Sequence, residues 1–182
     1  MKKDRIILIN VLTLIVFSIA QSAFAVDVLL PDWNFYKNRD NSRIINNTNG
    51  VVFERVRGNQ TFDKFFDKQV ITVFKGKNDG LPKNVGNAYL NKIAADDKKT
   101  TVWILKNSDN DFEGIFCSPK LERCEIVRYV NTSDGLVEVK YIHNNLWHFQ
   151  NNIGSFIEAQ NRVIVYPANS YLRELNKSVI RL

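Results

Sequence analysis

Leu136-Val137-Glu138-Val139-Lys140-Tyr141-Ile142 alternates with a period of two. Val137, Val139 and Tyr141 fall on one face of an extended strand, and Glu138 and Lys140 on the other. The run opens directly after Asn131-Thr132-Ser133-Asp134-Gly135, a turn whose Asp-Gly close is a hairpin signal. Upstream, Phe112 to Cys117 and Cys124 to Val130 read as strands flanking a turn opened by Ser118-Pro119. Thr101 to Lys106 precedes them across the polar Asn107 to Asp111. Strands on connections this short form an antiparallel meander, because parallel neighbours need crossovers of about a dozen residues or more.

On the C-terminal side of the meander, Asn144 or Asn145 is placed to cap a helix. Its stripe is Leu146, Phe149, Ile153, Phe156 and Ile157, at i, i+3, i+7, i+10 and i+11. Arg162 to Tyr166 reads as a last strand stopped by Pro167. From about Ala168 a terminal helix is expected, with Tyr171, Leu172, Leu175 and Val179 as its apolar side. On the N-terminal side, Val51 to Arg57 and Val70 to Lys75 read as strands. Between them Thr61 is expected to cap a short helix with Phe62, Phe65 and Phe66 turned into the core. After the turn-rich Gly76 to Gly80, Asn84 is expected to cap a helix reaching about Ala95, with Val85, Tyr89 and Ile93 inward. The fold expected is α+β: one mainly antiparallel sheet with helices packed on one face.

Residues 51–182 form this single domain. Residues 26–50, Asn-rich and without a clear period, are expected to be an arm laid over it and anchored by Trp33, Phe35 and Tyr36. Residues 1–25 carry the three zones of a secretory signal: a basic Met1 to Arg5, an apolar Ile6 to Ala20, and Ala23-Phe24-Ala25 before the cut. The apolar run falls short of the roughly 20 residues a retained membrane anchor requires, so cleavage is expected before Val26, with no membrane insertion afterwards. The short basic start points to a bacterial host and hence to the periplasm or beyond. A eukaryotic secreted origin would instead make acceptors of the Asn-x-Ser/Thr triplets at Asn46, Asn59, Asn131 and Asn176.

The chain has 182 residues with 25 basic and 19 acidic side chains. Three of the basic and one of the acidic lie in the signal, which leaves 22 against 18 in a mature chain of 157 residues. That mild excess is dispersed and lacks the Lys/Arg stripe of a phosphate-tracking surface, so no nucleic-acid partner is expected. Cys117 and Cys124 are the only cysteines. In an oxidising compartment such a pair reads as a disulfide across a hairpin mouth, contributing on the order of 2–3 kcal/mol. A redox Cys-x-x-Cys spacing is absent, and two cysteines with two distant histidines are too few for a zinc site.

No serine-nucleophile elbow, zinc-protease motif, phosphate loop or dinucleotide fingerprint is present, and no cofactor or metal is expected. The acidic turn Asp109, Asp111, Glu113 departs from the spacing of a calcium loop and reads as solvated. The only histidines are His143, where the meander meets the helix, and His148, about one turn into it. With Lys140 nearby they are weak candidates for acid–base cleavage of a phosphodiester, as in a small basic secreted nuclease. The outer face of the same helix carries Trp147, His148, Asn151 and Glu158, with Ser155 beside them. Trp, Asn and His opposite a core stripe suit a contact surface. The plainer alternative folds Trp147 back under the preceding loop or the arm. The function expected is therefore exported, non-enzymatic binding of another protein, in an inhibitor, immunity or envelope-accessory role. A small hydrolase is the rival, and a small-ligand binder with a pocket between sheet and helices is a third reading.

Overall fold

The fold comes from a computed structural model describing residues 26–30, 41–58, 60–74, 80–133, 135–167 and 179–182. Ten strands are described: β1 (Val26–Leu29), β2 (Asn41–Asn47), β3 (Gly50–Val56), β4 (Asp67–Phe74), β5 (Thr101–Asn107), β6 (Asp111–Ser118), β7 (Arg123–Thr132), β8 (Gly135–His143), β9 (Ile164–Pro167) and β10 (Val179–Arg181). Helices are α1 (Pro82–Asp96), α2 (Leu146–Asn151) and α3 (Ile153–Asn161). Seven strands make an antiparallel sheet in the order β2-β3-β4-β8-β7-β6-β5, and β10-β1-β9 make a second, smaller one. The α+β class and the antiparallel meander hold.

Alternation along the strands shows which elements cover which face. Phe112 and Phe116 of β6, Val127 and Tyr129 of β7 and Leu136 of β8 pack with Leu90 of α1. The neighbouring positions Ile115, Cys117, Cys124, Ile126 and Tyr141 pack with Phe149 and Phe156 of α2 and α3. The helices thus divide between the two faces of the sheet rather than sharing one. On the α2–α3 side, Phe53, Ile71, Val73, Val137 and Val139 form a further core with Val26 and Val28 of the small sheet. Both faces of β8 are therefore occupied, and Glu138, on the face expected to be polar, is buried as well.

Several local expectations are corrected. Residues 61–66 form no helix. Thr61 Oγ1 accepts the Lys64 N–H, the geometry of a tight turn, and Phe66 is exposed rather than core. Helix α1 starts at Pro82, before Asn84, with Leu81 at the N-cap; proline suits a first turn because its missing N–H would have no helical partner there. The helix after the meander is interrupted at Asn152, whose backbone N–H returns to Phe149 O. The expected arm supplies β1 to the small sheet and β2 to the edge of the large one. Trp33, Phe35 and Tyr36 lie outside the described residues, as does the segment 1–25. Of the expected terminal helix, 168–178 lie outside them too, and Val179 begins a strand.

Cys117 and Cys124 are directly opposite in the β6–β7 ladder and bonded, with Cα atoms 4.1 Å apart. The bond fits an oxidising compartment. No described helix is long and apolar enough to cross a membrane.

Candidate functional site

The β4–β8 pairing aligns Asp67, the first residue of its strand, with His143, the last of its own. Both are 3% exposed. His143 Nδ1 lies 2.6 Å from Asp67 Oδ1. Tyr141, two residues back on the same face, donates its hydroxyl to that oxygen, and Arg57 Nη1 lies 3.1 Å from Oδ2. Burial alone would raise the Asp67 carboxyl, but hydrogen bonds from His143 and Tyr141 and the Arg57 charge bring it below the ordinary Asp value. Burial, with the Asp67 charge beside it, pushes Tyr141 the other way and keeps it a neutral donor.

Helix α2 brings the second histidine in. Asn145 at its N-cap accepts the His148 N–H at 2.9 Å, fixing the first turn. From that turn His148 Nδ1 reaches His143 Nε2 at 3.0 Å. The His143 ring lies against Phe156, ring centroids 4.9 Å apart, and its centroid is 5.0 Å from that of His148. Three side chains distant in sequence so form one series: Asp67, His143, His148. His148 is exposed, so the series runs from a buried carboxylate to the surface.

Chemistry assigns the hydrogens. An ionised Asp67 accepts, so His143 Nδ1 carries a proton; in the neutral ring Nε2 then accepts from His148 Nδ1–H. His148 Nε2 remains as the nitrogen available at the surface. The arrangement can hold or pass a proton at that atom. It does not present two imidazoles to opposite sides of a reacting group, because the histidines occupy each other's nitrogens. Lys140 is on the other face of the sheet, where its Nζ bonds Glu138 at 2.9 Å and lies 4.4 Å over the Tyr89 ring.

Among the outer-face candidates, Trp147 is 74% exposed. Asn151 is exposed and donates Nδ2 to Trp147 O at 2.8 Å, so part of its amide is engaged within the helix. Ser155 and Glu158 belong to α3, beyond the break, where Glu158 pairs with Arg162. Asn144 N donates to Phe66 O at 2.8 Å, which puts Phe66, itself 61% exposed, at the same end of the β4–β8 ladder as Trp147 and His148. The sequence gives Asp67 and Arg57 no signal of a role, and its periodicity marks Tyr141 and Phe66 only as core positions. Asp67 and His143 are 76 residues apart, and only the strand register makes them neighbours.

The acidic turn is engaged: Asp111 pairs with Arg128 and Lys106, and Asp109 with Lys83. Among the described residues no group of three or more His, Cys, Asp or Glu side chains is disposed to hold a metal ion. No protein-family model matches the chain, and no curated protein matches it.

Proposed function

We propose that this chain is an exported bacterial protein that acts by holding another protein on the surface around Trp147, in an inhibitor, immunity or envelope-accessory role. The observation that carries the reading is the exposure of two large aromatic side chains, Trp147 and Phe66, at one end of the central strand pair. Exposed aromatics are enriched at the centres of protein interfaces, where they bury much area at little entropic cost. Export is supported by the signal pattern of residues 1–25 and by the Cys117–Cys124 bond.

The test is crosslinking and capture of a partner from the native host's envelope by mature protein. Trp147→Ala and Phe66→Ala should each weaken binding to the identified partner by about 2 kcal/mol, roughly 30-fold, with Tm nearly unchanged. Phe149→Ala is the control. It empties a fully buried, stacked position and should cost about 3–5 kcal/mol of stability. A Trp147→Ala protein that melts as early as Phe149→Ala, or binds its partner undiminished, refutes the surface.

The Asp67–His143–His148 series favours a second reading, a hydrolase using one imidazole as general base. Assays of mature protein on RNA, DNA and peptidoglycan are expected to show no turnover. Cleavage lost in both His143→Ala and His148→Ala would reverse the order of the two readings.

A further inference from the structure

We propose that Asp67, His143 and His148 store a single proton, and that His148 Nε2, its outer end, binds a carboxylate of the protein partner with uptake of that proton. The proposal rests on the docking reading for the identity of the partner, but the store is a property of this chain alone.

The geometry sets the count at one. Without the proton, Asp67 holds hydrogen on His143 Nδ1, His143 Nε2 accepts from His148 Nδ1–H, and His148 Nε2 bears an outward lone pair. That atom is then an acceptor, and a carboxylate has nothing to gain from it. One proton added at Nε2 turns the atom into a donor and leaves both internal hydrogen bonds in place. The proton can also move inward: His143 Nε2 takes the hydrogen shared with His148, and His148 still presents Nε2–H outward. A second proton would set two N–H groups against each other across 3.0 Å, which breaks the series.

The charges facing the two rings agree with this count. Strand β4 contributes Asp67, and the residue after β3 contributes Arg57, which pairs with it. Strand β8 contributes the neutral Tyr141. Strand β7 contributes Cys124, opposite His143 and locked in its disulfide. Helix α3 contributes the uncharged ring of Phe156. Among these described groups Asp67 supplies the negative charge beside the rings, and loading adds one positive charge to the histidine pair. A single outward donor with a single charge matches a carboxylate, while a phosphate dianion is ordinarily held by several donors. Trp147 and Phe66 supply the apolar flank for the rest of the partner.

Nitrogen-15 NMR of the two imidazoles in mature protein, titrated between about pH 5 and 8, tests this without any partner. Sodium acetate is the probe, with inorganic phosphate as the rival anion and sodium fluoride as the control at equal ionic strength. Both rings should move together at one midpoint with uptake of one proton. Acetate at roughly ten times its Kd should raise that midpoint by about one pH unit, with fluoride leaving it in place and phosphate doing less than acetate. Asp67→Asn should separate the two rings. His148→Asn, at an exposed position and so expected to fold, should abolish the acetate shift. Rings that titrate independently, an uptake of two protons, or an acetate response no larger than that to fluoride or phosphate would each overturn the proposal. Because the docking test uses Trp147 and Phe66, neither failure can be mistaken for the other.

Discussion

Asp67 is the residue on which this end of the molecule depends. It accepts from Tyr141 and His143 and pairs with Arg57 while 3% exposed. Asp111 and Glu54 repeat the theme. In each, burial raises the carboxyl, while hydrogen bonds and charge from Arg128 and Lys106, or from Lys68 and Arg43, outweigh it and leave the group lowered. A folded value below that of the unfolded chain, about 3.9 for Asp and 4.3 for Glu, fixes the sign. The stabilisation is complete above that range and is lost as pH falls through the folded values. Denaturation followed from about pH 6 down to 2 should show this loss in the parent. Asp67→Asn should be less stable at neutral pH by about 3 kcal/mol, because the buried negative charge that Tyr141, His143 and Arg57 face is removed. It should also lose less on acidification. An Asp67→Asn curve parallel to the parent's would mean that the carboxylate is not held ionised by these partners.

At the level of elements, the approach of α1 to β6 turns on glycine. A Cβ on Gly86 would stand 2.0 Å from the Phe112 ring, and one on Gly114 would stand 2.5 Å from Leu90 Cδ1. Leu90 Cδ1 is the end of a flexible chain, whereas Phe112 is a fully buried ring with little room to move. Replacing a helical glycine by alanine ordinarily stabilises by about 1 kcal/mol. Overpacking a filled core costs about 1–3 kcal/mol, and a contact this short belongs at the upper end. Gly86→Ala is therefore expected to destabilise by about 1–2 kcal/mol net in urea unfolding, and a stabilised variant would show that α1 can lift off β6 freely. The break between α2 and α3 is also an element-scale matter. Phe149 and Phe156 stack with ring centroids 5.0 Å apart on its two sides, so the apolar stripe survives although the helix does not run through.

Across the whole molecule, the chain closes on itself at β1. This strand lies between β9 and β10, so residues from the start of the described chain are paired with residues from its end. Val26 N and O both bond Leu182, at 2.9 Å. Val26 and Val28 are completely buried against the β3–β4–β8 face of the large sheet. Mature protein lacking residues 26–30 would lose the middle strand of the small sheet and two fully buried valines, each contributing about 1.5–3 kcal/mol. Against a total stability of about 5–15 kcal/mol, such a loss should lower the thermal midpoint by circular dichroism by about 10 °C or more. A truncated chain that melts at the parent's temperature would show that the small sheet is dispensable.

Period and turn chemistry in the sequence were enough for the α+β class, the β5–β8 meander, the Cys117–Cys124 bond and the Phe149–Phe156 stripe. All of these are local: a strand's alternation, a hairpin's turn and a helix's stripe are written in residues near one another. Phe62, Phe65 and Phe66 show where local reading fails, since three aromatics at helical spacing were outbid by a turn that Thr61 and the β4 register impose. The faces that the helices take, the strands within residues 26–50, and the Asp67–His143–His148 series were decided by tertiary structure alone. Each depends on which distant strands pair and in what register, and a shift of one residue in β4 against β8 would turn Asp67 to the other face. Sequence could offer two histidines and an exposed tryptophan; only the fold could place a buried carboxylate behind them.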